Sequence, residues 1–263
     1  MYIQRLLTIL LVLALLSPGI ASCEADAGAE DVDYLALAAL MLRDGNLDRA
    51  LSTLDAINIE EEGLDLPRYY TLRGMTYLRR NEMEQARDAF LKARDLGSVD
   101  AVVHVYLAQI QFQLQDYGAA IDSLDRAGAA VERVPSTYHM RAQCYWLMKD
   151  PVMALATLDV AEAIFPEDSS FLRRKVFFLI DMGLFREAAI LGRQYLEKSA
   201  GGVEDYVALG NALRASGDLD EAGQLLEQAQ LMFPDSAEVK KVLAHVYIDR
   251  GELNAAADVL YQA

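Results

Sequence analysis

The chain has 263 residues, with 24 Lys and Arg against 40 Asp and Glu and a formal net charge of −16. That acid excess excludes nucleic acid as the natural partner, because neutralising phosphates takes a basic patch. It also disfavours charge-driven docking on an anionic membrane surface, and it reads either as a solubility feature or as a field that steers a basic partner.

Residues 6–16, LLTILLVLALL, form an eleven-residue apolar core behind a lone Arg5. Small residues follow, then Ile20-Ala21-Ser22-Cys23. This is the architecture of a secretory signal, and the core is too short for a transmembrane helix. The end of the segment resembles a bacterial lipobox, in which the cysteine is diacylated and becomes the mature N-terminus. An ordinary cleaved signal, leaving a soluble periplasmic or secreted protein, and an uncleaved anchor are the alternative readings. The lipobox resemblance implies a lipoprotein signal peptide over 1–22, lipidation at Cys23 and a short acidic tether over 23–30. Glu24 follows the cysteine in place of the Asp that retains lipoproteins at the inner membrane. By that resemblance the protein sits in the bacterial cell envelope, as an outer-membrane lipoprotein facing the periplasm. Removing 1–22 removes Arg5 and no acid, which leaves 23 basic and 40 acidic side chains and a net charge of −17. With Cys23 acylated, Cys144 has no disulfide partner. Its place in the pattern described next calls for a small, buried apolar residue.

From residue 31 onward the chain repeats. Ala50, Ala86, Ala120, Ala154, Ala188, Ala222 and Ala256 are spaced by 36 residues once and by 34 thereafter. Units fall near 31–66, 67–100, 101–134, 135–168, 169–202, 203–236 and 237–263. The eighth place of each unit is Ala38, Gly74, Ala108, Ala142, Val176, Gly210 and Ala244, almost always Gly or Ala. A fixed period of this length marks helix-turn-helix units stacked into a solenoid. Small residues at places 8 and 20 let the two helices of a unit approach closely, while large residues at places 4, 11 and 24 fill the space around that contact. Place 15 is Gly45, Asn81, Gln115, Lys149, Gly183, Gly217 and Gly251. Gly and Asn there predict a left-handed residue ending each first helix. Asp150-Pro151 reads as an N-cap followed by the first helical residue.

The pattern resembles the tetratricopeptide repeat (TPR) family at places 4, 7, 8, 11, 20, 24, 27 and 32. The best unit carries Tyr206, Leu209, Gly210, Leu213, Gly217, Asp218, Ala222, Leu226, Ala229 and Pro234. The resemblance covers 31–263 and implies an all-α, right-handed superhelical solenoid of about seven repeats. Members of the family are scaffolds that hold peptides or proteins in a concave groove, and very different partners use the same frame. In this fold places 2, 5, 9 and 12 of each first helix face the groove, following helical spacing. The groove residues are therefore expected to be Gln109, Phe112, His139, Gln143, Trp146, Arg173, Phe177, Asn211 and Arg214. Aromatics offer large contact area at low entropic cost, and side-chain amides can pair with the backbone of a docked segment. Packing of some of these aromatics between neighbouring first helices is the competing reading. The clamp by which chaperone-binding members hold a C-terminal carboxylate is not supported, because only scattered basic groups are present.

Two departures stand out. In the fifth unit Val176 replaces a small residue, Gly192 replaces a large one and Tyr195 replaces Ala at place 27. That swap reads as compensated packing at constant volume, or as a local kink that shapes a site. The chain also stops at Ala263 without a capping helix. Val259 and Leu260 are then expected to be partly exposed, which leaves self-association, a partner or a frayed end open.

The residues give no sign of catalysis. His104, His139 and His245 lie in different units without an i, i+4 pairing, so no metal site is expected. Nucleophile-elbow, phosphate-loop and dinucleotide motifs are absent, and no cofactor is expected. The reading is a lipid-anchored periplasmic TPR adaptor that binds a protein or peptide segment in its groove, in assembly of an envelope complex such as a secretin or pilus, the outer membrane or polysaccharide export. The alternative is an accessory subunit of a solute transporter, or a ligand-carrying TPR lipoprotein.

Overall fold

The computed structural model describes residues 33–261. The signal, the Cys23 lipidation site and the tether lie outside the described residues. Among the described residues are fourteen α-helices and no strand. They are α1 (Tyr34–Arg43), α2 (Leu47–Asp55), α3 (Leu66–Arg79), α4 (Met83–Asp95), α5 (Ala101–Gln113), α6 (Tyr117–Ala127), α7 (Pro135–Leu147), α8 (Pro151–Ile164), α9 (Ser170–Asp181), α10 (Phe185–Lys198), α11 (Val203–Ser216), α12 (Leu219–Met232), α13 (Ala237–Asp249) and α14 (Leu253–Tyr261). One compact unit ends at Ile57 and contains the α1/α2 hairpin, and a second begins at Asn58. In the second unit each first helix packs on its own second helix, and each second helix packs on the first helix of the next repeat. The result is a solenoid of six pairs.

The local signals act where the period places them. Aspartates begin several helices as side-chain caps. Asp65, Asp116 and Asp150 each accept the backbone N–H three residues on, at 2.9, 3.2 and 3.0 Å, which satisfies a donor the helix itself cannot. All seven residues at place 15 adopt positive φ, between 63° and 90°. Three of them are not glycine: Asn81, Gln115 and Lys149. The turn geometry is thus imposed by the packing of the pair even where the residue type resists it.

The seven in-register alanines are buried, six of them completely and Ala256 to 3% exposure. Opposite them the helices come close enough to leave no room for a side chain at some eighth places. A Cβ on Gly74 would meet the Phe90 ring at 2.8 Å, and one on Gly210 would meet Leu226 at 2.8 Å. Phe90 and Leu226 are the place-24 residues of their own repeats and are fully buried, so small and large positions interlock as the pattern requires. Val259 is buried at 9% while Leu260 is 49% exposed, which divides the expectation for that pair. Cys144 is a buried free thiol, and burial pushes its pKa up to about 11, with the nearby Arg141 opposing.

The fifth repeat departs from the rule in an informative way. The space left by Gly192 is taken by Leu209 of the sixth repeat, whose Cδ1 would lie 2.7 Å from a Cβ at that position. Compensation therefore crosses the repeat boundary instead of staying within the unit. Tyr195 is also buried here, and its hydroxyl reaches Asp205 Oδ2 at 3.4 Å. Lys175 is buried too, and its ammonium bonds Asp159 at 2.9 Å and Glu162 at 2.6 Å, both on α8. Burial alone would lower its pKa, but these two carboxylates more than offset that and leave it raised. The pair of contacts fixes α9 against α8.

Gly210→Ala is expected to cost about 1–3 kcal/mol, because the added methyl overfills the contact with Leu226. Gly118→Ala, in a helical position with nothing within 4 Å, is expected to be neutral or to stabilise by up to about 1 kcal/mol. Urea unfolding of the two variants beside the parent checks both.

Candidate functional site

Five of the nine expected groove residues line one cleft of about 410 Å³: His139, Gln143 and Trp146 from α7, with Arg173 and Phe177 from α9. Ser170, Arg174, Phe178 and Asp181 of α9 and Glu204 of α11 complete its wall. On α7 the contributors are spaced i, i+4, i+7, and on α9 Arg174, Phe177, Phe178 and Asp181 are spaced i, i+3, i+4, i+7. Each set therefore forms one stripe of its helix. The other four expected residues lie outside this cleft. Gln109 is exposed on α5, and Phe112 is half-buried against Tyr117, with ring centroids 5.8 Å apart. Asn211 is half-buried on α11, and Arg214 bonds Asp249 Oδ2 at 2.9 Å.

Stacked π systems build the walls. The Trp146 indole lies flat on Phe178, with centroids 4.2 Å apart and planes 3° from parallel. The His139 imidazole lies on Phe171 at 4.3 Å and 13°. The Arg173 guanidinium stands 4.8 Å from the Phe177 ring centroid. Phe171 and Phe178 are buried, whereas Trp146 and Phe177 are only half-buried. Both readings of the aromatics thus hold at different atoms. One face of Trp146 is core, and the remaining surface lines the cleft.

Polar groups bridge neighbouring repeats at a constant offset. His139 Nε2 and Ser170 Oγ are 2.9 Å apart. Arg174 Nη1 donates to Gln143 Oε1 at 3.2 Å, and Arg173 Nη2 donates to Glu204 Oε2 at 2.6 Å. Each of these pairs is separated by 31 residues, one repeat less about one helical turn. His139–Phe171, Trp146–Phe178 and Arg173–Asp205 are separated by 32. Ser170, Arg174, Phe178 and Glu204 enter the cleft through this offset, which a face assignment within each helix misses.

Arg173 differs from what a binding role alone would suggest. Its Nε donates to Asp205 Oδ1 at 2.5 Å, and Asp205 is buried and also accepts the Gly202 N–H at 2.8 Å. Both sides of the Arg173 guanidinium are therefore engaged by α11. Its role in the cleft is to tie α9 to α11 and to support Phe177. Removing it would strand the Asp205 carboxylate.

The surroundings of His139 favour its neutral form. Burial lowers its pKa first and the charge of Arg174 second, with Asp168 opposing. Its Nδ1 is buried without a hydrogen-bond partner, so a second proton there would be poorly placed. No group of three or more His, Cys, Asp and Glu among the described residues is arranged to hold a metal ion. No helix among the described residues is long and apolar enough to cross a membrane.

A second cleft, of about 440 Å³, opens between α6, α7 and α8 and is lined by Leu124, Val131, Met153 and Val160 among others. Its origin is local. Gly128 adopts φ 54° and ψ −135° and ends α6 at Ala127, whereas α8, α10 and α12 run fourteen residues each. A 3-10 turn, Gly128–Ala130, follows in place of a further α-helical turn, and the cleft lies beside it against α8. An Arg141–Asp125 ion pair of 2.5 Å crosses the opening.

Models of the tetratricopeptide repeat match residues 71–135 and 213–263. Anaphase-promoting complex subunit 3 of Schizosaccharomyces pombe is 29% identical over 106 residues, which are 40% of this chain. The chain covers only 16% of that relative's length. Among solved structures, YrrB, a TPR protein with an unusual peptide-binding site, superposes with a TM-score of 0.55 at 21% identity, covering 69% of this chain and 93% of YrrB. PilW, a type IV pilus biogenesis factor, superposes with a TM-score of 0.53 at 17% identity, covering 80% of this chain and 96% of PilW. At these identities the structural likeness speaks to the fold.

Because folding depresses the pKa of His139, the native state binds fewer protons than the unfolded chain between that depressed value and about 6.5. Stability is therefore expected to be full above about pH 6.5 and to fall as the solution is acidified through that window. His104, also depressed by burial first and then by Arg126 and Arg94, contributes in the same direction. His139→Gln should flatten part of the slope in denaturant melts taken across this range, and an unaltered slope would remove His139 from the account.

Proposed function

We propose that this tetratricopeptide-repeat protein is a non-catalytic adaptor. It holds a segment of a partner protein in the cleft between α7 and α9 while a lipid on Cys23 keeps it at the membrane of a bacterial envelope. The observation that carries the reading is the half-open Trp146–Phe178 stack beside Phe177. It is an apolar surface of aromatic side chains, flanked by Gln143 and Arg174, in a concave position that a partner side chain can enter. Rigid aromatics backed by buried rings lose little entropy on binding. The description of YrrB as carrying a peptide-binding site, and of PilW as a pilus biogenesis factor, favours capture of a protein segment during assembly of an envelope machine. The LLTILLVLALL core followed by Cys23 supports the envelope and the lipid.

Affinity capture of the full chain from its own envelope tests the reading. Trp146→Ala is expected to lose partners that the parent retains, with helical circular dichroism unchanged, since one aromatic contact of this kind is worth about 2 kcal/mol or more. Cys23→Ser is expected to move the protein from the membrane to the soluble fraction. Partners retained in full by Trp146→Ala would sink the cleft assignment, and membrane retention of Cys23→Ser would sink the lipid anchor.

A further inference from the structure

Most charges that surround the cleft are already used. Arg173 is engaged by Asp205 and Glu204, and Lys175, on the other side of α9, is engaged by Asp159 and Glu162. Two charges that line the cleft are in a different position. Arg174 is exposed, and its contacts are a hydrogen bond to the neutral Gln143 and a place 6.0 Å from the Phe178 ring centroid. Asp181 is exposed in the last turn of α9, with no ion pair to it among the described residues. A carboxylate there opposes the helix macrodipole, whose negative end is the C-terminus. Arg174 bridges to a neutral amide and leaves its charge without a carboxylate partner, and Asp181 gains nothing from its helix.

The two charges share one stripe of α9, seven residues apart. At the helical rise this is about 10 Å. Phe177 and Phe178 lie between them on the same stripe, with Trp146 stacked beside. The cleft therefore runs from a cation, across an aromatic floor, to an anion. From this we infer that the site takes a helical partner segment with an acidic side chain and a basic side chain seven residues apart on one face and an apolar side chain between them. The acid meets Arg174, the base meets Asp181 and the apolar side chain rests on Trp146 and Phe177. A helix fits this spacing because residues i, i+3, i+4 and i+7 share a face. In an extended strand about 10 Å is three residues, and their side chains point to opposite sides. This inference rests on the adaptor reading above and specifies the partner chemistry of the same cleft.

A random peptide library displayed on phage and selected on the purified protein tests it, with Trp146→Ala, Arg174→Glu and Asp181→Lys selected in parallel. Both charged positions are exposed, and circular dichroism verifies that each variant is folded. The parent is expected to enrich peptides with one acid and one base flanking an apolar residue. Arg174→Glu should enrich peptides with two bases, and Asp181→Lys peptides with two acids. A peptide from the parent pool should bind Arg174→Glu roughly tenfold more weakly, because reversal turns an attraction into a repulsion, and exchanging its acid for Lys should restore affinity. Identical charge patterns in the parent and both reversal pools would overturn the inference, while loss of enrichment with Trp146→Ala would leave the cleft reading standing. The same peptides enriched on Trp146→Ala as on the parent, or no enrichment on the parent, would overturn both.

Discussion

The close approach of two helices at an alanine sets everything else in this molecule. Where Ala50, Ala86, Ala120, Ala154, Ala222 and Ala256 meet the first helix of their repeat, the residue opposite is Gly or Ala, and the fifth repeat, around Ala188, is the exception. The large residue one helical turn along fills what remains. Dense packing leaves little latitude in such a contact. The angle and depth of each helix pair are fixed, and the stripes of the first helices follow from them. A cleft built on those stripes inherits their precision, which suits recognition by a preformed surface.

The fifth repeat shows how an exception to that rule can be used. Gly192 gives up its own side-chain volume, Leu209 of the next repeat moves in, and Tyr195 and Asp205 meet beneath. Asp205 in turn engages Arg173. On the opposite side Lys175 ties α9 to α8. The helix that carries most of the cleft is therefore held by ionic contacts from both neighbours. A buried charge is costly when its partner is lost, so these contacts select one placement of α9 more than they add stability.

Scaffolds of this kind differ in what lines the groove, not in the frame. Here the frame is acidic overall, yet the cleft is not simply acidic. Aromatic rings supply its area, amide and imidazole groups bridge the repeats, and Arg173, Arg174, Asp181 and Glu204 bring charge of both signs to its rim. Under the proposed adaptor role, such a surface would discriminate by the pattern of charges along a partner as well as by apolar fit.

The sequence by itself determined the succession of helical pairs, the buried alanines and the left-handed residue at place 15 where that residue is Gly or Asn. These depend on contacts inside one repeat, and the period reports them directly. Of the nine residues expected on the groove face, His139, Gln143, Trp146, Arg173 and Phe177 line one cleft. What the tertiary structure alone decided lies between repeats. Arg173 is engaged by Glu204 and Asp205, and one face of Trp146 is covered by Phe178. Those outcomes depend on how one first helix is offset against the next, a separation of 31 or 32 residues where the repeat is 34. A periodic pattern gives the length of the step, but the packing of the side chains sets the offset at which neighbouring steps touch.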